Sequence, residues 1–137
     1  MNELAYRVVP ENGLSFVLFV DGVPLAQAIG ATGEAIPYWI VKHGIPGWPE
    51  WKAEPAPMSG CDVRIVTVCA CGEYGCGHTR CRVLYSEDRV TFDQFAGDPA
   101  ETPSSARFTF ERTNYDRVMD EISRLAAERW KENERTR

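Results

Sequence analysis

Residues 61–85 of the 137-residue chain read CDVRIVTVCACGEYGCGHTRCRVLY and contain all five cysteines and one of the two histidines. A run with strand character from Val63 to Cys71 leads into a glycine-rich turn, and a second such run ends at Tyr85. This order predicts a β-hairpin, and we expect the rest of the domain to be built around it. The residues near its tip are the sharpest chemical signal in the sequence, but they do not identify a substrate.

The hairpin carries five candidate metal ligands in the spacing C-x-C-x4-C-x-H-x2-C, namely Cys69, Cys71, Cys76, His78 and Cys81. Alternate side chains of a strand share a face, so Cys69 and Cys71 are expected to project together. Four sulfurs, or three sulfurs and the imidazole, could then surround one ion, and zinc prefers such a tetrahedral set. Arg80 and Arg82 are expected to offset part of the thiolate charge. The sequence therefore predicts a zinc site that ties the hairpin tip.

Two other interpretations of the cysteines stay open. They can be buried thiols in a glycine-rich turn, which is also the expectation for Cys61, set apart from the others. Alternatively, Cys71 and Cys76 can be the reactive groups of a thiol- or metal-dependent enzyme, which requires a lowered thiol pKa. The Cys-x-x-Cys motif of thioredoxin-like enzymes is missing from the sequence, and His43 is expected to face solvent. The sequence assigns no catalytic residue and no organic cofactor.

Residues 30–60 form a long stretch that is rich in proline and tryptophan. Proline at this density bars a long helix or a central strand. Trp48 and Trp51 are candidate anchors for a partner, or the lid of an active site, because large aromatic side chains dominate interface energies. Both rings can equally fold back and cap the sheet, an arrangement that the large area of a buried indole favours.

The whole pattern predicts a single α+β domain over residues 1–131, a mainly antiparallel sheet of about six strands with one long C-terminal helix packed on it. Leu4–Val9 and Leu14–Val20 flank an Asn-Gly turn, and both faces of the second run are apolar, which predicts a hairpin whose second strand is central. Thr113 is expected to cap the helix, and residues 132–137 are expected to fray. Further strands are predicted at Arg80–Tyr85, Val90–Phe95 and Ala106–Arg112.

The charge and the hydropathy of the chain exclude some functional classes. A net charge of −5 argues against a general nucleic-acid binder, which needs a basic surface. No apolar run approaches the roughly 18 residues of a membrane helix, and the first residues lack the pattern of a secretion signal. We therefore expect a cytoplasmic protein, in a reducing compartment where disulfides do not persist.

The cysteine motif CACGEYGC, residues 69–76, resembles that of a group of small, uncharacterised bacterial proteins, mostly from actinobacteria, which share C-x-C-G-x-x-G-C at the end of a strand. VTFDQF at residues 90–95, the Phe108-x-Phe110 pair ahead of Tyr115 and VDGVPL at residues 20–25 also fit that group. The similarity covers about two-thirds of the chain and implies no established activity. His78 and Cys81 lie beyond the shared motif.

Together these features predict a small protein that binds another macromolecule, with another protein as the expected partner. A regulatory or immunity-like role fits this prediction, but no residue selects it. The metal-tied hairpin, the Trp48/Trp51 segment or both would make the contact. The alternative is an enzyme that uses Cys71 and Cys76 beneath the aromatic lid. The sequence does not predict the oligomeric state.

Overall fold

The computed structural model describes residues 1–31, 33, 35–43, 61–68, 77–98 and 105–135. Its elements are β1 (Leu4–Val9), a 3₁₀ turn (Glu11–Gly13), β2 (Ser15–Val20), β3 (Val23–Pro24), α1 (Leu25–Ile29), β4 (Ile36–Pro37), α2 (Tyr38–His43), β5 (Cys61–Val68), β6 (His78–Tyr85), β7 (Arg89–Asp98), β8 (Phe108–Glu111) and α3 (Arg112–Arg135). The predicted α+β class with a long C-terminal helix is confirmed. The described strands form two antiparallel sheets of four strands each, and the two extra strands, β3 and β4, are two residues long.

In the first sheet β2 is central, with β1 on one side and β3 and β4 on the other. The turn that joins β1 to β2 places Asn12 at a φ of 54° and Gly13 at 85°, the positive values that Asn and Gly tolerate best. Phe16 is fully buried in the core, while Val17, on the opposite face of β2, is only 9% exposed. The predicted hairpin and the predicted central position of its second strand are both confirmed.

The second sheet is a meander in the order β5-β6-β7-β8. Between the partners of Arg80 and Arg82, β7 contains one more residue than β6. Gln94 lies in this bulge with a φ of 50°. An extra residue reverses the alternation of side chains beyond it, so Phe92 and Phe95, three residues apart, are both buried in the core.

The two sheets are joined at both edges and enclose one hydrophobic core. The Asn2 N–H donates to the Thr109 carbonyl at 2.8 Å, next to a bridge between Asn2 and β8. At the other edge, the Val68 N–H donates to the Ala35 carbonyl at 2.9 Å. Helix α3 packs into this core through an apolar stripe at helical spacing, of which Tyr115, Val118, Met119, Ile122 and Ala126 are buried.

The ends of α3 differ from the sequence-based expectation. The helix begins at Arg112, so Thr113 lies inside its first turn and is not the cap. Strand β8 runs directly into α3, and the first N–H, that of Arg112, is taken by the Asp88 carbonyl at 2.8 Å. At the other end the helix continues through Arg135, beyond the predicted limit at residue 131. In this last part of the helix, the Asn133 amide donates to the Tyr38 hydroxyl.

None of the helices in the described part of the chain combines the length and the apolar composition needed to cross a lipid bilayer.

Candidate functional site

The predicted site lies at the end of the β5–β6 ribbon. Val68 and His78 are the last Cα partners of the two strands, so residues 69–77 leave and return to the same point of the sheet. Residues 69–76 lie outside the described residues, and with them three predicted ligands, Cys69, Cys71 and Cys76. The predicted partner anchors, Trp48 and Trp51, also lie outside the described residues. What was predicted for these five side chains stays a prediction.

His78 occupies the mouth of the ribbon. It is the first residue of β6, and its Cα partners are Val68 on β5 and Asp98 on β7. The residue is only 7% exposed. The sequence predicted that the returning strand starts at Arg80. Pairing instead begins two residues earlier, so His78 is part of the sheet.

Cys81 occupies a different place from the one predicted. It is the fourth residue of β6, pairs with Arg64 and is 1% exposed within the hydrophobic core. Cys81 lies three positions after His78 along β6, which corresponds to about 10 Å and places the two side chains on opposite faces. The structure therefore does not bring these two predicted ligands together. In the described ranges no group of three or more His, Cys, Asp or Glu side chains could hold a metal ion.

The ribbon end also buries a hydroxyl on the face opposite to His78. Thr67 lies across from Thr79 in the β5–β6 ladder and is 1% exposed. Its Oγ1 is buried and makes no hydrogen bond within the part of the chain that the structure describes. A buried polar group without a partner costs about 1–3 kcal/mol, so this end of the ribbon is a place where a hydrogen-bond acceptor would be stabilised.

An ion pair lies farther along the His78 face of β6. Arg82 donates to both carboxylate oxygens of Asp93 on β7, from Nε and Nη2, each at 2.8 Å. Arg107 approaches the same carboxylate at 3.9 Å. The Arg82 hydrogen bonds hold the pKa of Asp93 below its ordinary value, with burial acting in the opposite direction. Arg82 thus pairs with Asp93, and its predicted offset of thiolate charge stays a prediction because Cys69, Cys71 and Cys76 lie outside the described residues.

Sequence reasoning missed the buried ion pair of Asp93. A carboxylate between Phe92 and Phe95 signals a buried partner. The sequence does not reveal that partner, because the bulge at Gln94 sets which residue of β6 lies opposite.

The described clefts lie away from the ribbon mouth, near the β6–β7 turn and the start of α3. One has a volume of about 260 Å³ and is lined by Met1, Asn2, Glu3, Glu111 and Asn114. The other has a volume of about 440 Å³ and is lined by Met1, Glu87, Asp88, Glu111, Arg112 and Thr113. His78 and Tyr85 form opposite ends of β6, so these acidic surface clefts are separate from the predicted metal site.

Comparisons of the chain with protein-family models, with curated proteins and with solved structures found no match. The resemblance of residues 69–76 to the actinobacterial group therefore stays an expectation from the sequence.

Proposed function

We propose that this chain binds another protein in the bacterial cytoplasm, in a regulatory or immunity-like role, and that a zinc ion ties the end of its β5–β6 ribbon. The observation that carries the metal proposal is the pairing of Val68 with a buried His78. The connection between these two partners contains Cys69, Cys71 and Cys76. Three thiolates and one imidazole form a set that zinc binds in structural sites.

The position of Cys81 favours one of the two predicted ligand sets. A set of four sulfurs needs Cys81, which is buried in the core on the face opposite to His78. The set of three sulfurs with His78 needs only the residue at the ribbon mouth. This difference supports the second set.

Metal content tests this ligand set with two matched substitutions in β6. The wild-type chain, purified without chelator, is expected to contain about one zinc per chain and few reactive thiols, as a closed structural site requires. His78→Ala should lower the zinc content strongly, whereas Cys81→Ala should retain it despite the small cavity it creates in the core. Loss of zinc in Cys81→Ala with retention in His78→Ala would reverse the assignment.

The zinc content and the number of reactive thiols also distinguish the protein-binding proposal from a thiol enzyme. One fast-reacting thiol and no zinc in the wild-type chain would favour the thiol enzyme that uses Cys71 and Cys76, because a nucleophilic cysteine must be a solvent-accessible thiolate. Few reactive thiols with bound zinc would exclude that enzyme.

The protein-binding part of the proposal rests on Trp48 and Trp51, since buried aromatic anchors dominate interface energies. Cross-linking in the native host followed by capture of the full chain is expected to recover a defined partner. Trp48→Ala and Trp51→Ala should each weaken capture, while the zinc content stays unchanged. Equal capture by the wild type and by both variants would contradict a role for these rings.

A further inference from the structure

The side of β1 that faces away from β2 can be assigned from its hydrogen bonds. Glu3 exchanges bonds with Asp21 at the β2 end, donating to its carboxylate at 2.7 Å and accepting from its N–H at 2.9 Å. Asn2 and Leu4 instead bond outward. Because the backbone groups of alternate strand residues point to the same side, the N–H and C=O groups of Tyr6 and Val8 also point outward.

The outward backbone groups of Asn2 and Leu4 have hydrogen-bond partners within the molecule. The Asn2 N–H donates to the Thr109 carbonyl at 2.8 Å, and the Thr109 N–H donates to the Asn2 Oδ1 at 2.9 Å. The Leu4 N–H donates to the Asn114 Oδ1 at 2.8 Å, and the Asn114 amide donates to the Leu4 carbonyl at 2.9 Å. A side-chain amide of α3 thus takes the place of a neighbouring strand at Leu4.

The outward edge is open at the next two positions. Leu4 is fully buried, Tyr6 is half-buried, and Val8 is 45% exposed, so the cover from α3 decreases along the strand. The Tyr6 hydroxyl still reaches the Glu121 carboxylate on α3, but in the described part of the chain no backbone bond closes the outward groups of Tyr6 or Val8. An open strand edge with unpaired N–H and C=O groups is a template for another strand.

Arg7 provides the charge of this open edge. It is exposed, its guanidinium lies 5.0 Å from the centre of the Phe19 ring, and it makes no ion pair in the described ranges. The arginines of α3 near Tyr6 are matched by carboxylates, in the exposed pairs Arg117–Glu121 and Arg124–Glu128. The uncompensated charge at the edge is therefore that of Arg7.

The same charge argues against a second copy of the chain as the occupant. If Tyr6 of one copy pairs with Val8 of another in antiparallel order, the two Arg7 side chains lie directly opposite each other. Like charges in that position destabilise a strand pair. An acidic side chain opposite Arg7 would stabilise it.

We infer that the open edge of β1 from Tyr6 to Val8 is a docking site for an extended segment of another protein that places an acidic side chain opposite Arg7. The segment adds a strand to the first sheet by bonding to the outward groups of Tyr6 and Val8, as in known cases of strand addition. The inference deepens the proposed protein-binding function and rests on it, but names a surface separate from the hairpin and from the tryptophans.

Two synthetic pentapeptides test the inference on the full chain by NMR. The blocked peptide Thr-Val-Glu-Val-Thr is expected to slow hydrogen exchange of the Tyr6 and Val8 amides several-fold at high peptide concentration. The same peptide with lysine in place of glutamate is expected to bind roughly five-fold more weakly, because opposite and like charges across a strand pair differ by that order. Equal binding of the two peptides, or protection of other amides only, would overturn the inference.

Two variants remove separate parts of the site. Arg7→Glu should reverse the preference between the peptides, and Arg7→Thr, which removes the charge and introduces a β-branched residue that strands favour, should abolish it. Val8→Pro should abolish binding of both peptides, because proline has no N–H and this N–H is not used by the fold. Binding that survives Val8→Pro unchanged would also overturn the inference.

The free chain provides the remaining outcomes. If its Tyr6 and Val8 amides are already protected independently of protein concentration, the edge is closed and the inference fails. If their protection rises with protein concentration, the occupant is a second copy and the inference also fails. If the peptides bind the β1 edge but the chain contains no zinc and captures no partner, the proposed function fails while this inference stands.

Discussion

Strands β1 and β6 differ in what they can offer to another molecule. β6 lies between β5 and β7, so its backbone groups are used on both sides and only its side chains can reach another group. Among the described strands, β1 has β2 as its only neighbour along most of its length, so part of its backbone is itself available. A central strand can therefore bind another molecule only through its side chains. An edge strand can also bind through its backbone, wherever the edge is not covered.

Proline substitution gives the largest contrast between the two strands. Val83→Pro, in the middle of β6, removes a ladder bond and a fully buried side chain, and we expect a loss of at least about 4 kcal/mol in the free energy of unfolding. Val8→Pro, on the open edge, should cost less than about 1 kcal/mol because its N–H points away from β2. Thermal unfolding followed by circular dichroism compares the two. A similar loss in both variants would show that the edge of β1 is not open at Val8.

The closed part of the β1 edge should give the next largest effect. Asn114→Leu leaves both backbone groups of Leu4 without partners, and Leu4 is fully buried. We expect a loss of about 2–4 kcal/mol, since each unsatisfied buried group costs about 1–3 kcal/mol. Urea unfolding measures the loss. Thr113→Ala, at the exposed neighbour, is the control and should change stability little. A loss of stability no larger than that of Thr113→Ala would show that the Asn114 amide is not needed at Leu4.

Asp93→Asn tests the side-chain chemistry of β6. The change weakens the double hydrogen bond from Arg82, and we expect a loss of about 1–3 kcal/mol at neutral pH. The control is Arg107→Gln, since Arg107 is 65% exposed and 3.9 Å from the carboxylate.

The pH dependence gives a second readout for Asp93. Its folded-state pKa lies below the ordinary value of 3.8, chiefly through the Arg82 hydrogen bonds. The stabilisation is therefore present above pH 3.8 and is lost as the pH falls through the folded-state pKa. The difference between wild type and Asp93→Asn should narrow over that acidic range in urea unfolding. A difference that stays constant would assign the loss to packing.

The bulge in β7 should give the smallest effect. Gln94 is exposed at a φ of 50°, where a non-glycine residue stores about 1 kcal/mol of strain. Gln94→Gly should leave stability unchanged or raise it by up to about 1 kcal/mol, while Gln94→Val should lower it by about 1–2 kcal/mol. Thermal unfolding measures the stabilities of the two variants. If Gln94→Val were more stable than Gln94→Gly, the positive φ at this position of the bulge would be contradicted.

Much of the fold was predictable because local signals agreed with it. The Asn12-Gly13 turn, the apolar faces of β2 and the helical stripe of α3 each depend on residues close together in sequence. β3 and β4 escaped prediction because two residues carry no periodicity. The start of α3 was misplaced because the Asp88 carbonyl, a tertiary partner, meets the first N–H in place of a cap.

The candidate site was predictable only as a set of residue types. Cysteines and a histidine near a turn indicated metal ligation, but the register between β5 and β6 decides that His78 stands at the ribbon mouth and that Cys81 faces the core. The open edge of β1 gave no sequence signal, since it depends on where Asn114, far along the chain, meets Leu4.

The contacts that close part of the β1 edge also set when this region of the molecule can fold. Asn2 and Leu4 meet partners 107 and 110 residues later in the chain. During synthesis, this edge cannot close fully until the ribosome has released residue 114, and contacts of such high sequence separation slow folding. Until then β1 exposes its full edge, so the nascent chain presents a longer strand template than the finished protein does.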